Sequence, residues 1–98
     1  MAELLKANWR NEVKPIPVRH LSTDQVCRLV QCSNDNLELV DLRDGRYLAY
    51  DRVGYGRREL KVNARATGLL HKAIPAPPGV GAKVLVYGDA LCFSTRDL

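Results

Sequence analysis

The residues best suited to hold a metal or act as nucleophiles are Cys27, Cys32 and Cys92, with His20 and His71 as the two imidazoles. A structural zinc site draws on paired thiolates or imidazoles at short, repeated spacing. Four residues separate Cys27 from Cys32 and no second matching pair follows, so a set of Cys27, Cys32, Cys92 and His71 fits that pattern poorly. An odd thiol count without a secretory signal points to free, reduced cysteines and a cytoplasmic location. Serine chemistry has no better footing. Ser22, Ser33 and Ser94 lack a glycine elbow, and neither histidine sits in a motif that supplies an orienting carboxylate. A pair such as Cys27 with His20 is something only tertiary structure assembles. A chain of 98 residues also has little room to enclose a substrate pocket. The residues therefore predict a non-enzymatic protein with no metal and no cofactor.

Phosphate chemistry by a glycine loop is equally poorly served. Gly79-Val80-Gly81-Ala82-Lys83 lacks P-loop spacing and precedes a strand candidate, where the motif needs a strand before it and a helix after. Pro75-Ala76-Pro77-Pro78 has the makings of a polyproline II ligand, and reads more simply as a rigid connection.

Charge is more informative. The net charge is +4, and it is concentrated. From Arg43 to Lys72 eight basic residues meet three acids, whereas the segments on either side are close to balance. Tyr47, Tyr50 and Tyr55 are interleaved with these bases. Arginines hold phosphates and aromatic rings stack bases, at about 1–3 kcal/mol per base. Arg46, Arg52, Arg57, Arg58, Lys61 and Arg65 are thus candidate phosphate contacts, with Tyr55, at a glycine-flanked turn tip, as the stacking ring. Strand alternation sends Tyr47 and Tyr50 to opposite faces, so the two cannot share one platform. The competing reading is a solvated strand face whose arginines blunt an edge.

These residues must be positioned by short elements. Leu4, Leu5 and Trp9 suit one face of a helix over Ala2–Arg10, or a loose N-terminal arm spanning residues 1–20. Pro15 and Pro17 impose extended backbone on residues 13–18 and exclude a central strand. Ser22 with Gln25 forms a capping box, and Leu21 with Val26 a hydrophobic staple, predicting a helix over Thr23–Gln31. Asn34-Asp35-Asn36 is a turn. Strands are expected over Leu37–Leu42 and Arg46–Val53, joined by a two-residue turn at Asp44-Gly45 that pairs Val40 with Ala49. Leu60, Val62, Ala64 and Ala66 alternate with polar residues, predicting a strand over Arg58–Ala66. One or two helical turns over Thr67–Ile74 follow, then strands over Ala82–Tyr87 and Ala90–Ser94.

With 46% hydrophobic residues the chain can build a core without disulfides, as one domain over residues 1–98. Its apolar runs are too short for a membrane span. The element order predicts a mainly β, α+β domain: a small five-stranded antiparallel barrel, OB-like or SH3/Sm-like. In an OB barrel the second and third strands carry the nucleic-acid surface, which is where the Arg/Tyr group falls. The expected function is binding of single-stranded RNA or DNA. The alternative is a protein–protein module, an adaptor, inhibitor or assembly subunit, acting as a homodimer through Trp9 and the Pro15/Pro17 segment.

Overall fold

Ser22 starts the most locally determined element. Its side chain accepts the Gln25 backbone N–H at 3.2 Å, and the Gln25 side chain accepts the Ser22 backbone N–H at 2.9 Å. This satisfies donors that a helix start otherwise leaves unpaired. Helix α1 (Thr23–Val30) follows, ending on Gln31 in the left-handed region at φ 63°. Leu21 and Val26, the expected staple, are both buried in one apolar cluster.

The computed structural model describes residues 2–17, 20–56, 59–74 and 85–97. Its strands are β1 (Ala2–Leu5), β2 (Val13–Ile16), β3 (Leu37–Asp41), β4 (Arg46–Asp51) and β5 (Ala90–Ser94). They form one antiparallel sheet in the order β2-β1-β5-β4-β3. Helix α2 (Ala64–Ala73) completes the set. The N-terminal hairpin β1–β2 and the hairpin β3–β4 are separate in sequence. Strand β5 enters between them, pairing with β1 on one side and β4 on the other.

The sheet is covered on both faces. Leu4, Ala49, Leu91 and Phe93 pack with Val26 and Val30 of α1. Leu5, Leu48, Tyr50 and Cys92 pack on the other side with Ala66 and Leu70 of α2. The expected barrel is therefore replaced by an open sheet between two helices, with β2 and β3 as its edges. The antiparallel α+β class stands.

Several elements differ from expectation. Residues 2–5 form a strand instead of a helix, and residues 13–16 pair with it as a second strand of the sheet. Adjacent Leu4 and Leu5 serve opposite faces of a central strand, so no alternation is visible. The expected strand over 58–66 is not formed. Val62 makes a single bridge to Tyr87, and Asn63 then caps α2 by accepting the Ala66 N–H at 3.0 Å. Alternation ending in Ala64 and Ala66 fits a helix equally well, and the asparagine cap decides it. For the expected strand over Ala82–Tyr87, residues 82–84 lie outside the described set, as does the proline loop. Of residues 85–87, Tyr87 makes an isolated bridge to Val62, and buried Val86 donates its N–H to the Thr67 hydroxyl at 2.9 Å.

The β3–β4 hairpin is slipped by one residue from the expected register. Leu42 donates to the Arg46 carbonyl at 2.9 Å, and Val40 pairs with Leu48. The loop is thus Arg43-Asp44-Gly45, with Arg43 at φ 64° and Gly45 at φ 89°. Side chains of Asp41 and Asp44 accept the N–H groups of Arg43 and Arg46, turning the chain by local bonds in place of a primed two-residue turn.

Asn63 ties the two ends of this architecture together. Fully buried, it donates to the carbonyls of Leu5 at 2.9 Å and Gly88 at 3.0 Å while capping α2. One side chain thereby joins the end of β1, the approach to β5 and the start of α2.

Candidate interaction surfaces

The predicted phosphate contacts do not form one strand face. Arg46 opens β4 on the α2 side of the sheet, and Arg52 lies beyond its other end. The Arg46 guanidinium is engaged by Asp44, through Nε at 3.0 Å and Nη2 at 2.6 Å. Its Nη1 lies 3.8 Å from the Cys92 sulfur. This ion pair holds the Asp44 carboxyl below its usual range and raises the Arg46 pKa. Arg52 uses Nη2 to donate to the Asp35 carbonyl at 2.7 Å. Lys61 and Arg65 leave the sheet altogether, one just before α2 and the other in its first turn, both exposed. Arg57, Arg58 and the Tyr55 side chain lie outside the described residues. Tyr47 stacks on Phe93 at a 5.9 Å centroid distance on the α1 face, and Tyr50 belongs to the core on the α2 face.

Of the predicted contacts, Arg65 lies on α2 and Lys61 just before it. Arg65 and Lys72, seven residues apart, share an exposed side of that helix, which contains no acidic residue. Arg65 thus belongs to a helix surface, which the overlooked asparagine cap marks.

The thiols are divided by the sheet. Cys92 is buried in the α2-side cluster, whereas Cys27 lies on α1 and Cys32 just after it, on the opposite side. The four-residue set weighed from the sequence is therefore not assembled. Among the described residues no three histidine, cysteine or acidic side chains come together as a metal cluster. Burial pushes the Cys92 thiol pKa up, against the opposing pull of Arg46. Cys27 donates its S–H to the Asn34 side chain at 2.9 Å. A broad groove of about 750 Å³ runs past this point between the end of α1 and the end of β4.

The two sheet edges differ in kind. In the β1–β2 hairpin Lys6 donates to the Glu12 carbonyl, so even-numbered β2 residues bond inward and Pro15 occupies an outward position. Proline has no N–H, and that edge is blunted. In the β3–β4 hairpin the bonds of Leu42 with Arg46 and of Arg52 with Asn36 give the same parity. Leu37, Leu39 and Asp41 therefore direct their backbone groups away from β4. The Leu37 N–H turns back to the Asn34 carbonyl, whereas Leu39 stands at the middle of the edge with 53% of its surface exposed. Beside Leu39 lies a cleft of about 280 Å³, walled by Leu21, Val26, Leu37, Tyr47 and Phe93. No guard residue of the proline type stands on β3.

Trp9, in the β1–β2 loop, is 80% exposed, with the Arg10 guanidinium 4.8 Å from its ring centroid. It is far along the chain from the cleft and belongs to the hairpin with the blunted edge. Among the described residues no helix is long and apolar enough to cross a membrane. Comparison with protein-family models, with curated proteins and with solved structures finds no match.

Proposed function

We propose that this chain is a non-enzymatic protein-interaction module whose binding element is the edge strand β3. The observation that carries the reading is the pairing of an unguarded edge with an apolar cleft. Strand addition needs both: main-chain donors and acceptors for affinity, and a pocket for alternate side chains for specificity. The edge at Leu39 offers the first, and the cleft bordered by Tyr47 and Phe93 offers the second. An arriving strand would cover Leu39, the most exposed leucine among the described residues.

A peptide copying residues 36–43 tests it. The peptide is expected to bind saturably and to slow amide exchange at Leu39 and Asp41. Leu39→Pro removes one outward N–H while leaving the β3–β4 bonds in place, so it is expected to abolish binding without unfolding the protein. Equal binding by parent and Leu39→Pro, or none by either, ends the reading.

A second reading, binding of single-stranded nucleic acid, is favoured by the acid-free outer side of α2 with Arg65, Lys72 and nearby Lys61. Lysine and arginine contacts to phosphates release counterions, so affinity must fall as salt rises. Mobility shifts with short single-stranded oligonucleotides at two salt concentrations are expected to show that fall. An Arg65→Glu/Lys72→Glu variant that binds as well as the parent would remove this reading.

A further inference from the structure

We infer that Cys27 and Cys32 form a dithiol site that is oxidised to an internal disulfide by exchange with a low-mass disulfide. The site lies at the end of α1 and does not depend on the β3 edge.

The close of α1 brings the two residues together. Gln31 turns the chain in the left-handed region, and the N–H groups of Gln31 and Cys32 both reach back to the Cys27 carbonyl, the latter at 3.0 Å. In such a helix-ending turn the side chains of the first and last residues commonly touch, and here these are Cys27 and Cys32. The same hydrogen bond limits how far apart they can be. With standard bond lengths the two Cα atoms are less than about 7 Å apart even if the bond were straight. Bends at the carbonyl oxygen and the amide nitrogen bring them within the roughly 4.4–6.8 Å that disulfides span.

The surroundings point the same way. Both cysteines line the groove between the end of α1 and the end of β4. The Asn34 side chain, on the same groove, accepts the Cys27 S–H at 2.9 Å and so fixes that sulfur toward the turn. Cys32 is half-buried and Cys27 buried, which separates their roles into an entry thiol and a resolving thiol. Cys92 belongs to the core on the other side of the sheet and takes no part.

The exchange runs in two displacements. Cys32 loses its proton to solvent through the groove and attacks one sulfur of the low-mass disulfide. That S–S bond breaks, and one low-mass thiolate leaves and is protonated by water. Cys27 then gives up its proton to solvent and attacks the Cys32 sulfur, forming the internal bond and expelling the second thiolate. The protein dithiol is oxidised by two electrons, and the low-mass disulfide is reduced to two thiols. The new bond consumes the S–H that Asn34 accepts, so a hydrogen bond at the end of α1 is exchanged for a covalent closure of the turn.

Equilibration of the reduced protein in mixtures of oxidised and reduced glutathione, with acid quenching and mass mapping, reads this directly. The parent is expected to lose two hydrogens and to yield a Cys27–Cys32 link, with Cys92 left as a thiol. Cys27→Ser is expected to stop at a glutathione adduct on Cys32, and Cys32→Ser to acquire no adduct while native. Concentrated urea removes the turn, so the equilibrium constant for the internal bond is expected to fall at least about ten-fold there. Circular dichroism confirms that each variant is folded. A parent that accumulates the Cys32 adduct without the internal bond, a bond that includes Cys92, or equal constants in native and urea-unfolded protein would each overturn the inference.

Discussion

Asn63 shows how much one buried polar side chain can decide. Its amide supplies two donors to backbone carbonyls and its oxygen accepts one N–H, with no exposure to water. Asn63→Ala leaves the Leu5 and Gly88 carbonyls without this donor and removes the α2 cap. The expected loss is about 2–4 kcal/mol, measured by urea unfolding. Asn63→Asp keeps an acceptor for the cap but faces two carbonyl oxygens with a carboxylate, so it is expected to cost at least as much. A cap-only role would predict the opposite, with Asp close to the parent. The cysteines give a second test at this scale. Cys27 and Cys92 are buried and Cys32 is half-buried, so a thiol reagent on the native protein is expected to modify Cys32 first and the other two only on unfolding. Mass mapping of the labelled peptides distinguishes the order.

Among the elements, β5 carries the largest share of the architecture. Among the described strands it alone has a neighbour from each hairpin, and Ala90 to Phe93 are buried without exception. Leu91 sits in the α1-side core with no exposed surface. Leu91→Ala is expected to cost about 2–5 kcal/mol through lost burial and a residual cavity. Leu39→Ala, on the exposed edge, is expected to change monomer stability by no more than about 0.5 kcal/mol. Denaturant unfolding of the two variants at low concentration makes the comparison. Equal costs would mean that β3 is buried in the state measured, which is the signature of association rather than of the monomer fold. The β3–β4 loop has a smaller role. Gly45 at φ 89° has open space around it, so a side chain there meets strain but no collision, and Gly45→Ala is expected to cost about 1 kcal/mol.

For the molecule as a whole, stability is expected to narrow at both ends of the pH range. The Asp97 carboxylate accepts the Ser94 N–H at 2.9 Å, and this bond holds its pKa below the ordinary aspartate value. A depressed folded-state pKa gives stability that is complete above the unfolded value, about 3.9, and is lost as pH falls through the folded one. The Asp97 carbonyl also accepts from Leu21, so this turn fastens the end of β5 to the start of α1. Asp97→Asn is expected to flatten the acid side of a melting-temperature profile. At the alkaline side the sign reverses. Burial raises the pKa of Cys92 and of Tyr50, the latter with help from Glu38. Raised values give stability that is complete below the unfolded pKa and declines as pH climbs above it, beginning near about 8.5 for a thiol. Cys92→Ala is expected to reduce that alkaline decline. A profile unchanged by both variants would show that other groups control the pH response.

What the sequence determined by itself is what neighbouring residues settle between them. The Ser22–Gln25 box and the Leu21–Val26 staple placed α1, and apolar runs bounded by turn residues placed β3, β4 and β5, because caps and turns are satisfied within a few positions of the chain. The order of these elements predicted a mixed, β-rich domain for the same reason. Tertiary structure alone decided the rest. Leu4 and Leu5 are identical as residues and serve opposite cores, and only a sheet covered on both faces makes that a strand. The alternation from Leu60 to Ala66 suits a strand until Asn63 finds carbonyls from β1 and from the approach to β5, which no local pattern contains. Arg46, Arg52 and Arg65 are close in sequence, yet a hairpin, a carboxylate partner and a helix start distribute them over different surfaces. The edge at Leu39 was equally hidden, since a strand becomes an edge only when the chain's remaining strands have taken their places elsewhere, with β5 filling the centre of the sheet.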